Sequence, residues 1–99
     1  MRWELGARYE RPAGADANWF ANALAELRAH VAGPVDIRVV FRVHNDERLH
    51  TMAGEIVDAP PGHVAVQPEA SKRGEVPCVD VVWFKPLKGA GLPPATRQD

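Results

Sequence analysis

From Met1 to Tyr9 apolar and polar positions alternate, with Met1, Trp3, Leu5, Ala7 and Tyr9 on one side and Arg2, Glu4, Gly6 and Arg8 on the other. A period of two predicts a half-buried strand. Arg11-Pro12-Ala13-Gly14 ends it. The period then changes. Phe20, Leu24, Leu27 and Val31 fall at i, i+4, i+7 and i+11, extended by Ala17 and Ala23, while Asn18, Asn22, Glu26 and Ala29 lie opposite. This predicts an amphipathic helix over 17–31. Asp16 is placed to accept a hydrogen bond from its free amides, and Gly33-Pro34 supplies the stop.

From residue 35 the period returns to two. Ile37, Val39, Phe41 and Val43 share one face, and Arg38, Val40, Arg42 and His44 the other. Asn45-Asp46-Glu47 predicts a tight turn, because Asn and Asp tolerate left-handed backbone. The return strand, 48–58, carries Leu49, Thr51, Ala53 and Val57 on one face but Met52 and Ile56 on the other, with Gly54 marking a bulge or sharp bend. Ala59-Pro60-Pro61-Gly62 is a turn, His63–Gln67 a short strand, and Pro68–Gly74 a polar loop. Val76–Lys85 is apolar on both faces and reads as one covered strand, with Pro77 near a free end.

The order is β-α-β-β-β-β. It predicts an α+β domain in which one amphipathic helix packs on a strongly bent antiparallel sheet of about five strands. An open sheet gripping the helix and a small closed barrel with the helix as lid both fit. The domain is expected over 1–87, with 88–99, rich in Gly, Pro and polar residues, as a flexible tail.

Composition narrows the class. The 99 residues are 45% hydrophobic and 25% charged, ordinary for a globular domain. No apolar run reaches the roughly 20 residues that span a bilayer, and the first residues have no apolar signal-peptide core. The single cysteine, Cys78, cannot close an intramolecular disulfide, so a reducing cytoplasm is expected. Twelve Lys and Arg against thirteen Asp and Glu give no basic excess. Nucleic-acid binding would therefore need its cations sorted onto one face.

One stretch resembles the Sm-like RNA-binding family. A helix containing FANAL leads into IRVVFRV, a hairpin tip, AGEIVDA around Gly54, and the short strand HVAVQ, over roughly residues 20–67. The resemblance implies a small barrel that binds RNA. The chain departs from the pattern in a longer spacing from turn to Gly54, in the added strand at 1–9, and in its last strand. That strand reads VDVVWF where bacterial members carry an RNA-lining Lys-His pair.

Candidate chemistry centres on the hairpin. A three-residue turn sets Arg42 opposite His50 and His44 opposite Arg48, with Arg38 on the same face. The result is a local basic stripe suited to phosphate, nucleic acid or an acidic protein surface. Asp46, Glu47 and Asp58 stand close enough in sequence to neutralise it. His30, His44, His50 and His63 have no short Cys/His spacing, so no metal and no cofactor is expected. Cys78, between Pro77 and Val79, reads as an inert core thiol. Asp80, inside an apolar strand, is a candidate buried acid paired with Arg38 or Arg42. Trp19 flanks the helix stripe, and Trp83 and Phe84 point to opposite faces, which makes Trp19 and Trp83 interface candidates.

No glycine-rich phosphate loop, nucleophile elbow, HExxH or paired-carboxylate motif occurs. The expectation is a non-enzymatic cytoplasmic binding domain that self-associates as a homo-oligomer through Trp19, Trp83 or an edge strand. A nucleic-acid-binding module using the basic hairpin face is the first alternative. A small-ligand pocket or enzyme site between helix and sheet, involving Asp80, is the second.

Overall fold

The computed structural model of the chain describes residues 3–95. Its elements are β1 (Tyr9–Glu10), α1 (Trp19–Ala29), β2 (Val35–Val43), β3 (Asp46–Val57), β4 (His63–Gln67), β5 (Gly74–Pro77), a 3-10 turn (Cys78–Asp80) and β6 (Val81–Gly89). One helix packs on a six-stranded, wholly antiparallel sheet in the order β1-β6-β2-β3-β4-β5. The two outer strands do not pair with each other, so the sheet stays open and the barrel alternative is set aside.

The sixth strand comes from the segment expected to be one strand over Val76–Lys85. The 3-10 turn interrupts it, so Val76 stays on the β4 side of the sheet while Val81 begins a strand beside β2. Arg11 fixes this break. Its guanidinium donates to the Cys78 carbonyl at 2.7 Å and the Val81 carbonyl at 3.0 Å, bracketing the turn, and to the Asp16 carbonyl at 3.1 Å.

The helix buries Phe20, Leu24 and Leu27 as the periodicity requires. It starts at Trp19 because Asp16 holds a separate turn ahead of it. The Asp16 Oδ1 accepts from the Asn18 amide at 2.9 Å and its carbonyl accepts from Trp19 at 3.2 Å. Val31, beyond the last helical turn, is still buried. These side chains meet Ile37 and Val39 of β2, Ile56, Val64 and Val66 of the β3–β4 pair, and Val81 and Phe84 of β6 in one core.

The first strand is shorter than its alternation suggests. Gly6 turns the chain with φ +81°, and only Tyr9 and Glu10 pair with β6. The inward side of the alternation survives without the ladder. Trp3 is buried, its ring 4.7 Å from Tyr9, and Tyr9 stacks 5.4 Å from Phe84. Met1 lies outside the described residues. The ordered structure runs past the expected boundary at 87. Lys88 and Gly89 belong to β6, Leu92 packs on the core, and Leu5 bonds to Pro93 and Ala95 at 2.8 Å each. Apolar Leu92 and these backbone partners tie down a stretch whose composition reads as loop. Residues 96–99 of the expected tail lie outside the described residues.

Gly54 marks a close approach in β3. A Cβ there would lie 2.5 Å from the Gln67 carbonyl oxygen and 2.7 Å from the Pro68 nitrogen. Only a bare α-carbon lets the end of β4 cross so near, which is a backbone reason for glycine at the expected bend.

Candidate binding surface on the open face of the sheet

The hairpin tip decides where the predicted basic residues go. The turn is the two-residue His44–Asn45, with Asn45 at φ 63°, rather than a three-residue turn over 45–47. Val43 pairs with Asp46, the register shifts, and then Arg42 faces Leu49 and Phe41 faces His50. Relative to the expected pairing, β3 is displaced by one residue. Because side chains alternate, that displacement moves His50 and Arg48 to the helix side of the sheet and leaves Arg38 and Arg42 on the other. His44 is exposed in the turn itself. The single stripe of Arg38, Arg42, His44, Arg48 and His50 is therefore corrected to two separate groups.

Asp46, Arg48 and His50, two apart along β3, form the first group. The Asp46 carboxylate accepts from Arg48 at 3.2 Å through both Nε and Nη2, and lies 2.9 Å from His50 Nε2. The Arg48 backbone amide adds a bond at 2.9 Å. Hydrogen bonds from Arg48 and His50 hold the Asp46 carboxyl well below the usual carboxylate range. The His50 ring also stacks 5.9 Å from Phe41. Both side chains are occupied internally by a carboxylate two to four residues away.

The second group lies on the face that α1 leaves bare. Its rows follow from the register. Glu10, Trp83, Val40 and Thr51 form one row, Lys85, Arg38 and Ala53 the next, Lys88, Asp36 and Glu55 a third, while Arg42 and Leu49 lie on the opposite flank. Val40 is buried beneath its neighbours, and Trp83 is half-buried. The Arg8 guanidinium lies 4.1 Å from the centre of the Trp83 ring and the Lys85 ammonium 5.9 Å from it. Arg38 donates to Thr51 Oγ1 at 3.1 Å. Among the described residues, Arg8, Arg38, Arg42 and Lys85 make no ion pair with a carboxylate. Two of these cations, Arg8 and Lys85, flank the half-exposed indole, and Arg38 and Arg42 stand on the same face of β2.

The remaining candidates separate cleanly. Asp80 is half-buried in the 3-10 turn, no charged residue is fully buried among those described, and neither Arg38 nor Arg42 pairs with it. The turn itself relieves the burial that a continuous strand would have imposed. Asp80 instead rims a hollow of about 340 Å³ with Glu10, Arg11, Arg42 and Val79. Trp19 is held at the core margin by Phe20 and Phe84, with centroids at 6.1 and 6.0 Å, and by Arg11 above its ring. Burial pushes the Cys78 thiol up, against a smaller opposing pull from Arg11, so it stays protonated at neutral pH. No group of three His, Cys, Asp or Glu side chains able to hold a metal occurs among the described residues. No helix among them is long and apolar enough to cross a membrane.

Two important residues gave no signal in the sequence. Arg8 looked like the polar half of a strand, and Arg11 a residue in a loop. Their roles arise from partners in β6 and the 3-10 turn, 67 and 70 residues along the chain in the case of Arg11.

No protein-family model, curated protein or solved structure matches the chain. The Sm-like likeness over residues 20–67 thus stays a resemblance of pattern.

Proposed function

We propose that the protein is a non-enzymatic binding module that holds a single-stranded nucleic acid on the open face of its sheet. The observation that carries this reading is Arg8 and Lys85 against the Trp83 ring, with Arg38 and Arg42 on the same face of β2 and none of the four in an ion pair with a carboxylate among the described residues. Phosphates are recognised by such cations, and bases by flat π surfaces, including the Arg8 guanidinium that already lies over the indole. The chain's net charge of −1 is compatible with this because affinity depends on where the charge sits, and Arg48 is paired with Asp46 on the other side of the sheet.

Titration with a homopolymeric single-stranded oligonucleotide, followed by tryptophan fluorescence, tests the reading. Binding should weaken linearly with log salt, at a slope of about −0.7 per phosphate contact. The double variant R38E/K85E should abolish it, and W83A should cost about 1–3 kcal/mol if a base stacks there. Undetectable binding at low salt, or binding indifferent to R38E/K85E, overturns the proposal.

A further inference from the structure

The hollow beside the 3-10 turn continues the open face past Trp83. Glu10 and Arg42 belong to both, Glu10 through its pairing with Trp83 and Arg42 through its place beyond Val40 on β2. The rest of the rim is Val79 and Asp80 from the turn, Arg11, and the start of β6. Its volume, about 340 Å³, is within the range of small-ligand pockets. Arg11 is spent on the Asp16, Cys78 and Val81 carbonyls. Glu10, Arg42 and Asp80 differ. They rim one hollow, yet none makes a side-chain hydrogen bond or ion pair among the described residues. Arg42 and Asp80 therefore stand too far apart to neutralise each other, and each keeps its bonding capacity for a group placed between them. Val79, at 57% exposure the most exposed large hydrophobic side chain among the described residues, gives the hollow an apolar wall.

We propose, resting on the nucleic-acid reading above, that this hollow is a guanine-selective base site for the strand held on the open face. Two carboxylates at the rim repel phosphate, so a strand that follows the cations near Trp83 turns a base, not its backbone, toward Glu10 and Asp80. A base seated there has to bring donors for a carboxylate and an acceptor for a guanidinium. Guanine alone carries two adjacent donors on its pairing edge, N1–H and the N2 amine, which one carboxylate accepts together. Asp80, half-buried in the turn that Arg11 pins, is the better-fixed acceptor, while Glu10 is exposed at the entrance. The guanine O6 and N7 lie on the neighbouring edge and take the Arg42 guanidinium. Cytosine and adenine each set one amine beside a bare ring nitrogen that a carboxylate repels, and thymine offers a single N–H between two carbonyls. Val79 covers the flat face of the base.

Tryptophan-fluorescence titrations with a short oligothymidylate, and with the same strand carrying one central guanine, test it. The readout is the ratio of the two dissociation constants, taken separately for each protein. For the parent, the guanine strand should bind about tenfold or more tightly. Hypoxanthine in place of the guanine lacks the N2 amine and should remove most of that advantage. D80N replaces one of the two acceptor oxygens by a donor and should bring the ratio close to one. Its melting curve should match the parent's, because Asp80 has no bond to lose. Equal binding of the two strands by the parent, with R38E/K85E still abolishing both, overturns this inference and leaves the nucleic-acid reading standing. A guanine advantage that D80N or hypoxanthine leaves intact overturns it as well. Binding of neither strand at low salt overturns the reading and this inference together.

Discussion

Trp83 and Phe84 are consecutive residues of one strand, and the sheet sends them into different environments. Phe84 has no exposed surface and touches Trp3, Tyr9, Trp19 and Phe20, with ring centroids between 5.2 and 6.0 Å. Trp83 is half-buried among Arg8, Lys85, Glu10 and Val40. β2 repeats the contrast, with Ile37 and Val39 fully buried and Arg38 and Arg42 facing outward. The lesson is that one face of this sheet holds the fold together while the other is free to carry chemistry. Substitutions on the two faces should therefore differ in kind.

The largest test is F84A against W83A. Removing Phe84 should cost about 3–5 kcal/mol in denaturant unfolding, because a ring enclosed by four others leaves a cavity that cannot collapse. W83A should cost about 1 kcal/mol, since water already reaches its site. Equal losses would break the comparison. Next in size is G54A, on the helix side of β3. Its methyl group would meet Gln67 and Pro68 backbone that cannot swing away, so a loss of about 1–3 kcal/mol is expected. Retention of full stability would mean that the β3–β4 crossing is not tight.

The smallest effect belongs to the hairpin tip, which neither face encloses. Hydrogen bonds from Arg48 and His50 depress the folded-state pKa of Asp46 below its ordinary 3.8. A depressed carboxyl stabilises the fold fully above that ordinary value, and the contribution is lost as pH falls below it. D46N should therefore fall below the parent in stability at neutral pH, and the gap should narrow between about pH 4 and pH 2. Urea melts over that range would read it, and a gap independent of pH would contradict the pairing.

The elements with strong periodicity were legible in the chain. Phe20, Leu24 and Leu27 marked the helix, Ile37 and Val39 the inner face of β2, and Gly54 the point where β3 needs a residue without a side chain. What failed was register. Asn45 takes the left-handed backbone expected of it, but as the second residue of a two-residue turn with His44. One position of difference carried Arg48 and His50 through the sheet, away from Arg38 and Arg42. Local sequence constrains turn length weakly, whereas every side chain beyond the turn depends on it. Asp80 misled for a related reason. An apolar run reads the same whether it is one strand or two joined by a 3-10 turn, and the group that fixes the break, Arg11, lies far off in the chain. The make-up of the open face was hidden for the same cause, because Arg8, Trp83 and Arg38 share it only when β1, β6 and β2 lie side by side.

The bridge between Leu5 and Pro94 has a mechanical consequence. These two segments run parallel, joined by the Leu5 amide to Pro93 and the Ala95 amide to Leu5, each at 2.8 Å. Tension applied through the two ends of the described residues would draw parallel segments past one another in opposite directions. Both bonds would then carry load together, in shear, instead of unzipping in sequence. A domain clasped in this way resists being pulled open from its ends more stiffly than the short length of β1 would suggest.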